Sequence, residues 1–321
     1  MSDSSWRPLP HGNGRGRWMD ATPIYAPPKQ KRRRHLVLFI ATVLTTLVAG
    51  AIQSVGVERL IKNPVLLVTG IPFSFSILAI LTAHEMGHYV MSRRHGVTTS
   101  LPYFIPSPLF ILDLNPGTFG AVIVTRSPYP SRRALMDIGA AGPIAGFLIA
   151  VPITAIGVSL SRVMPVGTMR SAYVSLGEPL ILKLLTYLIK GPLPEGYDVF
   201  IHPVAFAGWF GFLVTMMNLI PVGQLDGGHI LYAFLGGSPV SQRVRLGFAV
   251  ACLALLAYLG LSYTGWYVWG ALIIVLGMTL RHPPPLDDVT PLDFSRKMLG
   301  LTALLILILS FIPVPFKIMM P

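Results

Sequence analysis

Charged side chains make up only 12% of this 321-residue chain, while hydrophobic ones make up 53%. Soluble domains carry about 25% charged residues, so there is too little polar surface here to cover a globule in water, and the membrane class follows. Cysteine is nearly absent. Cys252 is the sole one, which excludes an intrachain disulfide framework and a multi-cysteine metal site. Acidic residues are few as well, 13 against 25 Lys and Arg, for a formal net charge of +12. Excess positive charge can signal a nucleic-acid partner, but its placement excludes one. Arg7, Arg15, Arg17, Lys29, Lys31, Arg32, Arg33 and Arg34 precede a long apolar run, opposed only by Asp3 and Asp20. A basic block in that position is a topology signal and a contact for anionic membrane lipids.

Residues 1–35, rich in proline and poor in periodicity, are expected to form a disordered cytosolic tail, leaving 36–321 as a membrane-embedded domain. Leu36 to Val57 carries no charge over about 20 residues, enough to span a hydrocarbon core of roughly 30 Å. Further apolar segments lie near 64–91, 134–161, 199–221, 246–263, 265–281 and 299–319. The expected fold is therefore an all-α polytopic membrane protein with about seven transmembrane segments. Threaded from a cytosolic N-terminus, the chain places 18 Lys and Arg inside and 7 outside, as the positive-inside rule requires. One stretch breaks the pattern. Pro102, Pro106, Pro108 and Pro116 lead into the β-prone run Thr118 to Thr125, so a small membrane-associated β element is expected near 97–125. Backbone of that kind at membrane depth must be buried in protein or line a watery cavity.

The strongest chemical signal is His84-Glu85-Met86-Gly87-His88, near the cytosolic end of the second apolar segment. On a helix, positions i and i+4 share one face, so both imidazoles can reach a single zinc, with Glu85 beside it to take a proton from water. Leaving three ionisable groups unpaired in an apolar helix would cost several kcal/mol. A catalytic zinc usually has three protein ligands. Asp226, followed by Gly227 and Gly228, is a candidate third ligand or else a helix N-cap; Asp113, Asp137 and His229 are its rivals. The other histidines, His11, His35, His95, His202 and His282, read as tail, loop or segment-end residues. Gly142 and Gly146, four apart, suit close helix packing.

With Asn218-x-x-Pro221 and Leu225-Asp226-Gly227-Gly228 downstream, and Gly117-Thr118-Phe119-Gly120-Ala121 and Gly142-Pro143-Ile144-Ala145-Gly146 between, residues 64–235 resemble the site-2 protease family of intramembrane zinc metallopeptidases. The resemblance implies one zinc held by His84, His88 and Asp226, Glu85 as general base, and Asn218 among the substrate-contacting residues. Its substrates would be transmembrane proteins cleaved near the cytosolic face. Gly120 belongs to the strand expected to pair with an unwound substrate segment. No counterpart of the PDZ or CBS modules of many relatives is expected. A transporter or metal channel using the cluster as a transit site, and a non-catalytic binder of membrane helices, are the rival functions.

Overall fold

The structure is a computed structural model that describes residues 32–108, 115–166, 173–279 and 283–319. Most of the basic tail, together with Asp113, His11 and His282, lies outside the described residues. In chain order the elements are α1 (Arg32–Val55), α2 (Val57–Lys62), a 3-10 helix (Pro64–Gly70) and α3 (Ile71–Arg94), followed by β1 (Tyr103–Pro106), β2 (Thr118–Val122) and α4 (Arg132–Leu160). Then come β3 (Arg162–Pro165), β4 (Tyr173–Leu176), α5 (Leu180–Lys190), β5 (Tyr197–Phe200), α6 (Pro203–Asn218) and α7 (Asp226–Leu235). The chain closes with α8 (Pro239–Gly260), α9 (Gly265–Thr279), α10 (Phe294–Ser310) and β6 (Phe316–Met319).

Among the described residues four helical stretches are long and apolar enough to cross a membrane: Arg32–Val55, Pro64–Arg94, Arg132–Leu160 and Pro239–Gly260. The other three apolar segments of the sequence became α6, α9 and α10, of 16, 15 and 17 residues. At 1.5 Å per residue these reach about 23 to 26 Å, short of the roughly 30 Å core. Outward faces carry large apolar side chains such as Leu44, Phe75, Leu148, Ile156, Leu246 and Tyr258, as surfaces facing lipid do.

The β content goes beyond the single element expected. Among the described residues three antiparallel two-stranded sheets form, β1–β2, β3–β5 and β4–β6. The first pairs Tyr103 with Val122 and Phe104 with Ala121 and is anchored to α1 where the Thr45 hydroxyl donates to the Gly117 carbonyl, 2.6 Å. The stretch 162–198, between two apolar segments of the sequence, holds β3, β4, α5 and the start of β5, and β4 pairs with the distant C-terminal strand β6.

The core lies where α3, α4 and α6 meet, around Phe73, Ile77, Trp209, Phe212 and Met216, all nearly inaccessible. Ser131 starts α4 by accepting the Ala134 amide, 3.2 Å, an N-cap. Pro143 and Pro152 lie inside α4, tolerated because neighbouring helices can satisfy the freed backbone groups.

Candidate metal centre

His84 and His88 project from one face of α3 and are 3% and 7% exposed, with Glu85 between them at 6%. Their Nε2 atoms lie 3.2 Å apart. The third group arrives from the other side of the site. After α6 ends at Asn218 the chain turns tightly through Leu219–Leu225 and restarts as α7 with Asp226 in its first turn. Leu225, not Asp226, occupies the N-cap position, without a side-chain cap bond. The Asp226 carboxylate instead faces both imidazoles, Oδ2 at 3.2 Å from His84 Nε2 and Oδ1 at 3.3 Å from His88 Nε2. The two following glycines serve the turn: a Cβ on Gly227 would stand 2.0 Å from the Leu219 carbonyl oxygen, and one on Gly228 would stand 2.4 Å from that of Gly223.

Helix α4 forms the floor. A Cβ on Gly142 would fall 2.0 Å from His88 Nε2, one on Gly146 3.2 Å from the His84 ring, and one on Gly87 2.4 Å from the Ala141 carbonyl oxygen. The glycines thus let α3 press its histidines against α4, as small residues do between membrane helices. His88 Nδ1 lies 2.8 Å from the Ile138 carbonyl oxygen. A carbonyl can only accept, so Nδ1 carries the hydrogen and leaves the Nε2 lone pair for a cation shared with Asp226 and His84.

This donor set fits a small divalent cation. Neutral imidazole nitrogens and a carboxylate are the ligands zinc takes, at about 2.0 to 2.1 Å in tetrahedral geometry. Such a geometry separates neighbouring ligand atoms by about 3.3 Å; the two imidazole nitrogens here are 3.2 Å apart, and each has one oxygen of the Asp226 carboxylate at 3.2 or 3.3 Å. Among the described residues, His84, His88 and Asp226 are the group of such side chains close enough to share an ion.

Two further residues of the sequence reading border the site. The Ile123 backbone amide is near enough to the Glu85 carboxylate to favour its charged form, so the chain just after β2 borders it. Asn218 Nδ2 lies 3.4 Å from His84 Nε2. Gly120 is outside the donor set, in β2 at φ +99°, with open space around its Cα. That φ lies in a region that favours glycine.

The rivals stand elsewhere. Asp137 pairs with Arg296 at 2.6 Å and His95 at 2.9 Å, a latch joining α3, α4 and α10. His229 donates through Nδ1 to the Leu225 carbonyl, 2.9 Å, and accepts the Tyr129 hydroxyl at Nε2, 3.2 Å; burial pushes its imidazole below its ordinary range. His35 lies 3.1 Å from the Pro102 carbonyl oxygen and packs on Tyr103, and His202 caps α6. Sequence reasoning missed Tyr129, the Ile138 carbonyl and Arg296. None belongs to a motif, since each is brought in by packing.

Residues 72–259 match Peptidase family M50. The chain is 32% identical over 247 residues to Probable zinc metalloprotease EGY1, chloroplastic, of Arabidopsis thaliana, covering 76% of this chain and 43% of that protein. It is 31% identical over 254 residues to the protein of the same name from Oryza sativa subsp. japonica, covering 76% and 41%. To Probable zinc metalloprotease EGY2, chloroplastic, of Arabidopsis thaliana it is 28% identical over 256 residues, covering 79% and 44%. The chain therefore spans less than half the length of these curated relatives. The match takes in more than half of the chain and includes His84, Glu85, His88 and Asp226, so the chain belongs to peptidase family M50, the site-2 protease family.

Proposed function

We propose that this protein is an intramembrane zinc endopeptidase that hydrolyses peptide bonds in locally unwound transmembrane segments of membrane-protein substrates, near the cytosolic face. The observation that carries the reading is the convergence of the Asp226 carboxylate on two imidazoles and a buried glutamate carried by a helix long and apolar enough to span a membrane. Relatives whose names include zinc metalloprotease support zinc as the ion.

His84, His88 and Asp226 hold the ion, one per chain. When bound, zinc supplies Lewis-acid polarisation of the scissile carbonyl and lowers the pKa of a water towards about 7. Glu85 accepts the proton of the attacking water and hands it to the leaving amine. The Ile138 carbonyl fixes the His88 ring through Nδ1, and the Asn218 amide is placed to donate to the charge developing on the carbonyl oxygen. A substrate helix hides its carbonyls in its own hydrogen bonds and must unwind before attack. Among the described residues β2 pairs with β1 on one side only. Its other edge can supply the backbone partners that the substrate loses, with Gly120 leaving that approach open.

The domain is 36–321 with its catalytic core at 64–235, preceded by a cytosolic tail. The short apolar helices α6, α9 and α10 join the four long ones as seven crossings, and the 18-to-7 distribution of basic residues puts the N-terminus and the active site on the cytosolic side.

Glu85→Gln separates this reading from a transit site. A carboxamide keeps the packing and the three ligands but cannot take a proton, so the variant should retain about one zinc per chain while cleavage falls by at least about 10² to 10⁴-fold. Cleavage at the wild-type rate, or zinc-dependent metal flux that survives the substitution with no cleavage in either form, would overturn it.

A further inference from the structure

The end of the bundle away from the metal centre encloses a cavity of about 1070 Å³. Pro72 of α3, Val158 of α4 and Phe206 of α6 line it. The same three helices carry His84, Ile138 and Asn218 at distances of 12, 20 and 12 residues, roughly 18 to 30 Å along the helix axes. The cavity and the metal centre are therefore separated by more than half the depth of a membrane's hydrocarbon core.

Strands form much of the wall. Met164 of β3, Ser175 of β4, Phe200 of β5 and Lys317 of β6 all line it. The sheets β3–β5 and β4–β6 have two strands each, so every strand has one edge outside its pair. Such an edge offers an alternating row of amides and carbonyls to an extended chain. The charged lining is balanced, Lys183 and Lys317 against Glu178 and Asp198. Gln53 lines it too, and its buried amide nitrogen has no partner among the described residues.

We propose that this cavity binds an extended peptide, the stretch of substrate that continues its hydrophobic segment on the side away from the scissile bond, by strand addition to β3–β5 or β4–β6. The proposal rests on the proteolytic reading above and extends it to the substrate's far end. A lipid acyl chain would meet four charged side chains and strand edges in this wall, and a polyanion would meet as many carboxylates as ammonium groups. An extended peptide uses both, with backbone groups for the edges and side chains of either sign for the charges.

Two experiments on the full chain in phosphatidylcholine nanodiscs test it. In the first, a fluorescein-labelled decapeptide of alternating Val and Ser with one central Glu is titrated onto the Glu85→Gln protein. Saturable binding is expected, weakened about tenfold by Lys317→Glu and restored when the peptide carries Lys in place of Glu. That rescue would not follow from a folding defect. In the second, wild-type protein cleaves a hydrophobic substrate with or without this decapeptide on its far end, and removing it should raise KM about tenfold with kcat within about twofold. Peptide uptake equal in discs with and without protein, or charge reversal without rescue, would overturn the proposal. Peptide binding with no cleavage by the wild type would keep the cavity and remove the protease reading; cleavage indifferent to the decapeptide, with no binding, would do the reverse.

Discussion

α3, α4 and α6 run through both ends of the bundle and end in opposite kinds of place. At the metal end, glycines bring α3 against α4 so closely that added methyl groups would collide with an imidazole or a carbonyl, and the ionisable groups are nearly inaccessible. At the other end α4 and α6 also pack closely, a Cβ on Gly157 falling 2.1 Å from the Ala205 amide nitrogen, but beside them lies a large cavity walled by short strands and by charged side chains. Bond-making chemistry needs ligands fixed to within a fraction of an ångström, whereas binding an extended chain needs free edges and room. The same helices can serve both because the strands and connecting segments that follow them, and not a gap between the helices alone, wall the cavity.

Substitutions at the metal end should therefore cost far more than those at the cavity end. After Glu85→Gln, the largest effect should come from Gly142→Ala, whose methyl would occupy the space of His88 Nε2. Zinc affinity measured by chelator competition should drop about 10 to 100-fold or more, and unchanged affinity would show that the two helices are not held in contact. Next in size is the latch. Arg296→Gln leaves Asp137, 11% exposed and paired with Arg296 at 2.6 Å, without its main partner, at a cost of about 2 kcal/mol. Because Asp137 adjoins the Ile138 carbonyl that orients His88, the unfolding midpoint should fall and chelators should strip zinc faster. A lowered midpoint with unaltered zinc release would limit the latch to stability.

The smallest effect belongs to the cavity end. Burial pushes the Glu178 carboxyl above its ordinary value of 4.5, with Lys183 opposing. An acid whose folded pKa is raised costs no stability below its unfolded value; the cost grows as pH rises past that value and is complete above the raised folded one. Glu178→Gln should therefore gain slightly in midpoint at neutral pH and gain nothing at pH 4. A gain of equal size at both pH values would mean that charge burial is not the cause.

Much of the metal centre was legible in the sequence because it is local. His84 and His88 sit one helical turn apart, and three ionisable groups in an apolar run have few structural uses. Asp226 was less so, since a carboxylate before two glycines reads equally as a cap, and only the turn after Asn218 decides that Leu225 takes that position. Helix α5 escaped notice because 11 residues holding Lys183 and Lys190 look too short and too charged to span. The pairing of β4 with β6 and of Asp137 with Arg296 joins residues well over a hundred positions apart. Neither short strands nor single charges announce a distant partner.

Zinc content of the purified protein tests the central claim most directly, measured side by side for wild type, Glu85→Gln, Asp226→Ala and His229→Ala. The account predicts about one zinc per chain in wild type, Glu85→Gln and His229→Ala, and a sharp loss in Asp226→Ala alone. Full zinc in Asp226→Ala, or its loss in His229→Ala instead, would contradict it.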